Sequence, residues 1–300
     1  MTDYGHDLLF GTFVTPSAQN AEHALDVAVA TDRAGLDLVT FQDHPYQPAF
    51  LDTSTLLAFA AARTENVHLS ANVASLPLRP PAVLARAAAS LDILSGGRFE
   101  LGIGAGAFWD AIAAMGGRKL TPGQGVTALK EAIRIIRELW DVDNPEIVRV
   151  DGKYYTVKGA KRGPRTAHDI AVWVGAYKPR MLALTGAMGD GWLPTLEYIE
   201  GGLAGVPDSN ARIDEAALEA GRTPSDVRRV FNFMRVGFAP SERGLLNGPP
   251  EAWVDNIADM ALNYGISAFL IGGDDIAVTE RFAAEVVPAA RELVARERGR

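Results

Sequence analysis

The chain has 300 residues, 48% of them hydrophobic and 22% charged, which suits a folded protein with a sizeable core. Its net charge of −8 and the lack of any Lys/Arg cluster argue against a nucleic-acid surface. Cysteine is absent, so disulfides, thiol catalysis and zinc–thiolate centres are excluded.

Short apolar strands alternate with amphipathic helices, eight units in all. The pattern predicts strands at Leu8–Val14, Leu36–Gln42, Val67–Ser75, Phe99–Ala105, Ile170–Ala176, Gly191–Pro194, Val230–Phe238 and Ala268–Gly272. Helices are expected at Ala21–Ala34, Thr53–Arg63, Ala82–Leu94, Val126–Trp140, Arg180–Met188, Asn210–Ala220, Pro250–Tyr264 and Val278–Arg296. Alternating βα units imply a parallel sheet, and eight of them imply a (β/α)8 TIM-like barrel; an open doubly wound sheet is the alternative. Two stretches fall outside the repeat. Val148–Pro164 reads as a hairpin turning at Asp151-Gly152, and Leu196–Asp208 reads as a Gly-rich, mobile loop. Both are expected as insertions at the C-terminal rim. No linker composition interrupts the chain, so residues 1–300 are expected to form one domain. The N-terminus lacks a signal-peptide pattern, and no stretch approaches the ~20 apolar residues of a membrane span, so a cytoplasmic protein is expected.

In such a barrel the chemistry lies at the C-terminal strand ends. Side-chain alternation in the second strand puts Leu38, Thr40, Gln42 and His44 on the inner face, with Val39, Phe41 and Asp43 on the other. His44 is the candidate proton donor or relay, against the plainer reading of a packed strand-end histidine. In the third strand His68, Ser70 and Asn72 face inward, opposite Val67, Leu69, Ala71 and Val73. The fourth leaves Gly102, Gly104 and Gly106 bare on one face, which suggests a flat group against that backbone. The same residues satisfy G-x-G-x-x-A, but a dinucleotide reading fits a fourth βα unit poorly. After the fifth strand, Lys178-Pro179-Arg180 opens a helix whose free N–H groups and two cations make a phosphate site, or else two ordinary surface cations. Thr195 ends the sixth strand at the same rim.

The five histidines show no H-x-H or H-E-x-x-H spacing, so no metal is expected. No G-x-S-x-G elbow is present, and Lys178 is the nearest candidate for a Schiff-base lysine, although it sits on a helix start.

Taken in order, Asp43-His44, Ser70-Ala71-Asn72-Val73, Ser95-Gly96-Gly97-Arg98-Phe99-Glu100-Leu101-Gly102-Ile103-Gly104-Ala105-Gly106, Val174-Gly175-Ala176-Tyr177-Lys178-Pro179-Arg180 and Gly189-Asp190-Gly191-Trp192 resemble the bacterial luciferase-like flavin oxidoreductase family. The resemblance spans most of the chain. It implies a TIM-like barrel, a homodimer, a small-molecule substrate and a bound coenzyme, F420 or FMN; the Asp-His form resembles the F420 branch more closely. It places His44 and Asp43 near the reactive face of the ring. Asn72-Val73 corresponds to the family's non-prolyl cis peptide behind the ring, with Ala74 beside it. Gly104 and Gly106 line the ring's approach, and Gly175, Ala176, Tyr177 and Lys178 hold the phosphate. Ala107 stands where the family's sugar-phosphate dehydrogenases carry Glu. Phe108 and Trp109 follow it, which suggests an apolar or aromatic substrate. The implied activity is hydride transfer with F420; the alternatives are an FMN-dependent monooxygenase using O2 and a non-catalytic flavin-binding protein.

Overall fold

Eight parallel strands close on themselves in this computed structural model, which describes residues 2–299. They are β1 (Leu9–Val14), β2 (Leu38–Phe41), β3 (His68–Ala71), β4 (Phe99–Gly104), β5 (Val172–Val174), β6 (Gly191–Trp192), β7 (Arg228–Phe233) and β8 (Ala268–Gly272). Each pairs with the next, and β8 returns to β1 in a register running from Leu9 opposite Ala268 to Phe13 opposite Gly272. The (β/α)8 expectation holds, and closure removes the open-sheet alternative. A short ladder, Ala74–Ser75, continues β3 along Ile103 and Gly104.

Alternation sorts the two cores. Leu38, Trp173, Leu193, Val230, Ala268 and Leu270 fill the barrel, while Phe10, Val39, Phe41, Leu69, Leu101 and Ile103 pack in the outer core with the helices. One residue departs from the expected pattern. Val73 packs with the interior cluster rather than with Leu69 and Ala71, and the Asn72–Val73 peptide bond is cis.

Local chemistry sets the helix ends. Asp52 caps Thr53–Arg63 by accepting from the Thr55 N–H, and Thr121 with Gln124 forms a capping box on Pro122–Trp140. Helix Pro81–Ser95 stops at Gly96, whose φ of 71° is the left-handed value glycine adopts freely. Arg98 then ties that corner together, donating to the Ser95, Ala61, Thr64 and Val67 carbonyls and to Thr64 Oγ1.

Three expectations need correction. The hairpin, Val148–Asp151 with Thr156–Ala160, connects the helix Pro122–Trp140 to β5, so it leaves from the N-terminal end of the barrel rather than the rim. Its turn is also longer than Asp151-Gly152, because Glu131 accepts from the N–H groups of Lys153, Tyr154 and Tyr155 and holds a wider loop. Leu196–Asp208 is not a loop throughout. It holds two 3-10 turns, Leu196–Tyr198 and Gly202–Gly205, and the start of helix Val206–Glu219, where Pro207 suits the first turn. Among the described residues no helix is long and apolar enough to cross a membrane.

Candidate active site

The C-terminal end of β2 turns at Gln42 and sends Asp43 and His44 in different directions. Asp43 is 2% exposed and fully engaged: Oδ2 accepts from the Ser75 N–H at 2.9 Å and Arg79 Nε at 2.7 Å, and Oδ1 accepts from Arg79 Nη2 at 2.7 Å. The same Arg79 Nη2 donates to Asp52 Oδ2 at 2.7 Å. Burial alone would raise the Asp52 pKa, but its bonds to Arg79 and to the Thr55 N–H outweigh that and lower it. A bidentate guanidinium–carboxylate pair of this kind fixes geometry as well as charge. Asp43 therefore locks the β2 terminus to the segment after β3 and makes no bond to His44.

His44 is the opposite case. Its ring stacks on Tyr46 at 5.4 Å and Phe50 at 6.4 Å and meets the edge of Phe108 at 5.5 Å. Neither ring nitrogen hydrogen-bonds to any described residue. Burial among these rings lowers the His44 pKa below its ordinary value, and the Asp43 charge only partly opposes this. The same burial, reinforced by Asp43, pushes the Tyr46 hydroxyl up to about 12. At neutral pH His44 is an uncharged imidazole with a lone pair available.

Beneath this aromatic box lies a closed polar network. Asn72 Nδ2 donates to Thr40 Oγ1 at 3.1 Å and to Asn232 Oδ1 at 2.7 Å. Asn232 Nδ2 answers with Asn72 Oδ1 at 3.0 Å and Thr195 Oγ1 at 3.2 Å, and Thr40 passes its proton to the Thr12 carbonyl at 3.0 Å. Both amides use every N–H they have, which suits a site floor in a dry interior. The network joins β2, the β3 terminus, β7 and the segment after β6.

The glycines have a different meaning from the one the sequence suggested. A Cβ on Gly104 would lie 2.7 Å from Val73 Cγ2, and one on Gly175 would lie 3.1 Å from it. A Cβ on Gly106 would meet Pro77 Cγ at 2.8 Å, and Gly106 has φ of 94°. The bare face of β4 thus admits the chain's own Val73 and Pro77 rather than standing open to a flat group. Gly104 and Gly175 are the supports on which Val73 sits.

On the other side of the mouth, Tyr177 accepts at its hydroxyl from the Thr195 N–H at 2.8 Å, and its ring meets Tyr198 edge-on at 6.2 Å. Ala176 is buried, its carbonyl taken by Trp192 Nε1 at 2.8 Å. Lys178 precedes helix Pro179–Met188, exposed and 3.8 Å from Glu200. Arg180 Nη1 would be 2.7 Å from a Cβ on Gly123, at the start of helix Pro122–Trp140. Two helix N-termini and two cations therefore lie on one side of the rim. Phe108 joins the His44 cluster; Trp109 instead packs against Gly125.

The structure thus unites His44, Asn72, Val73, Phe108 and Thr195 around one mouth, with Tyr177 and Lys178 at its edge. Sequence reasoning missed Tyr46, Phe50, Arg79 and Asn232. Only Asn232 carried a signal, as the one polar residue in Val230-Phe231-Asn232-Phe233.

An F420-dependent glucose-6-phosphate dehydrogenase of Amycolatopsis mediterranei is 33% identical over 214 residues, covering 69% of this chain and 62% of its own. The chain thus spans about six tenths of the length of the first such relatives it matches. An F420-dependent secondary alcohol dehydrogenase, solved with an F420–acetone adduct, superposes with a TM-score of 0.83 at 18% identity over 95% of this chain and 99% of that one. The FMN-bound oxygenating constituent of 3,6-diketocamphane monooxygenase from Pseudomonas putida superposes at 0.75 with 19% identity, over 94% and 99% of the two chains. At these identities the superpositions speak to the barrel alone. The family profile reaches further: residues 3–242 match it, and the chain belongs to the luciferase-like monooxygenase family.

Proposed function

We propose that the protein is an F420-dependent oxidoreductase that moves a hydride between the coenzyme and the carbinol carbon of a small apolar or aromatic alcohol. The observation that carries this reading is His44: an unbonded, uncharged imidazole in an aromatic box at the C-terminal mouth. F420, when bound, supplies a two-electron hydride acceptor and donor. His44 takes the hydroxyl proton as the carbinol C–H leaves as hydride, and returns it in the reverse direction. The Tyr46, Phe50 and Phe108 rings hold the imidazole in place by stacking and edge contact. Asp43, through Arg79 and Ser75, is a positioning residue for the His44 backbone.

The residues present fit the coenzyme. Arg180 makes no ion pair among the described residues, and it shares a helix N-terminus with Lys178, which suits a phosphate. Val73 offers an apolar surface above the Asn72–Asn232 floor for a ring to rest on. Similarity to F420-dependent dehydrogenases favours F420 over FMN. Ala107 and the exposed Phe108 favour an apolar substrate over a sugar phosphate.

Fluorescence titration of the protein with F420 and FMN in parallel, followed by F420 reduction with a panel of aliphatic and aromatic alcohols, tests the proposal. Tight FMN binding without F420 binding, with substrate-dependent oxygen uptake, would establish the monooxygenase reading instead. Cofactor binding with turnover unchanged in His44→Ala would remove His44 from the chemistry.

We further propose that two copies pair through helices Thr53–Arg63 and Pro81–Ser95. Phe59, Val83 and Leu94 are 58%, 65% and 83% exposed there, beside a groove lined by Leu57, Leu84 and Leu91. Light scattering should give a dimer mass for the native chain and a monomer for Leu94→Glu.

A further inference from the structure

At the N-terminal end of the barrel, opposite the mouth, the first residues of β3 and β4 meet the segment before β5. His68 Nδ1 and His168 Nε2 each lie 3.3 Å from Glu100 Oε1, and all three atoms are within 4.8 Å of one another. We propose that His68, Glu100 and His168 form a site for one divalent first-row metal ion of the zinc type.

Two independent features carry this. The first is spacing. Ligand atoms on a tetrahedron with bonds of about 2.0–2.1 Å stand roughly 3.3–3.4 Å apart, and two of the three edges already have that length. Direct N–H···O bonds are usually shorter, near 2.9 Å.

The second is the way Asp92 holds His168. Asp92, 0% exposed, accepts at Oδ1 from His168 Nδ1 at 2.7 Å, and its Oδ2 holds the Ala167 and His168 N–H groups at 2.6 and 3.1 Å. Asp92 thereby holds the His168 ring with Nε2 turned toward the Glu100 carboxylate. A buried carboxylate behind a ligating histidine is the usual outer partner of a zinc site. Glu100 is anchored the same way: its Oε2 accepts from the Ala171 N–H at 2.8 Å, leaving Oε1 for the ion. Two imidazoles and a carboxylate select transition metals over Mg²⁺ or Ca²⁺, which take oxygen cages. The His68 side chain is 40% exposed, so a water can complete the shell and the ion has a way in.

The test uses the full chain, stripped with EDTA and titrated with ZnCl2 by calorimetry, and with CoCl2 by visible absorption. One equivalent of Zn²⁺ and the intense visible bands of four-coordinate Co²⁺ are expected. Glu100→Gln and His168→Ala should each weaken binding by about 100-fold, and Asp92→Asn by about 10-fold. The half-exposed His68→Ala is the variant least able to disturb folding, so it should abolish the tetrahedral Co²⁺ spectrum while leaving the metal-free melting curve unchanged. Stoichiometric binding that survives His68→Ala with the same spectrum would overturn the proposal. So would no binding at all with His168 titrating as an imidazolium paired to Glu100. Neither result touches the mouth of the barrel, so the oxidoreductase reading stands or falls separately.

Discussion

The Asn72–Asn232 pair allows a quantitative check on how the site floor is built. Replacing Asn232 by Leu leaves Asn72 Oδ1 without a donor and one Asn72 Nδ2 hydrogen without an acceptor. Asn72 is only 8% exposed and Asn232 2%, so water cannot readily replace either partner. An unsatisfied buried polar group costs about 1–3 kcal/mol, which puts Asn232→Leu at about 2–4 kcal/mol. Asn72→Leu strands the corresponding atoms of Asn232, at a similar cost. The double variant removes both sets of orphans together. Thr40 keeps its bond to the Thr12 carbonyl, and Thr195 loses only a donor to one lone pair. The double variant should therefore fall short of the summed single costs by about 2 kcal/mol, at the upper part of the range for coupled contacts. Urea unfolding with a constant m-value measures all three differences. Additive costs would refute the idea that the two amides form one closed unit.

Four further outcomes follow from named contacts. His44→Gln should lower kcat/KM for hydride transfer by about 100- to 10,000-fold while leaving coenzyme Kd within a few-fold, as expected for loss of a proton-transfer group. In the native protein the acid limb of the rate profile should lie below about pH 6.5, since burial lowers the His44 pKa beneath that ordinary value. Asp43→Asn should destabilise by about 2–3 kcal/mol, below the usual loss for a broken buried pair because Arg79 keeps Asp52, and an unchanged melting temperature would dismiss the anchor role. Arg98→Lys should cost about 2–3 kcal/mol in urea unfolding, since one ammonium cannot reach the four carbonyls and one hydroxyl the guanidinium serves.

The barrel was legible because its signals are local. Each strand carries a two-residue period and each helix a wider one, and eight repetitions leave little choice of architecture. The inward placement of Asn72 follows from that period alone. Contacts between distant segments left no such trace. Arg79 sits between two prolines in a stretch that reads as a stiff connection, yet its partner Asp43 lies 36 residues away. Glu131 widens a hairpin turn from a helix 22 to 24 residues earlier. His68, Glu100 and His168 stand 32 and 68 residues apart, far from any short ligand motif, and the pairing of β3 with β4 and of β4 with β5 brings them together.

The glycines of β4 show where period reasoning breaks down. Gly102 and Gly104 lie within β4 and each is closely approached, while Gly106 lies beyond the strand end with φ of 94°. The period puts Val73 on the outer side with Leu69 and Ala71, and so leaves it out of account as the approaching group. Val73 instead turns into the barrel beside Asn72 and packs over Gly104 and Gly175. A glycine therefore reports that something comes near, and cannot say whether it is ligand or chain. The distinction moves the apolar surface of the site from glycine backbone to the Val73 side chain. It also makes Gly104 and Gly175 positioning residues: a methyl on either displaces Val73 before it reaches the mouth.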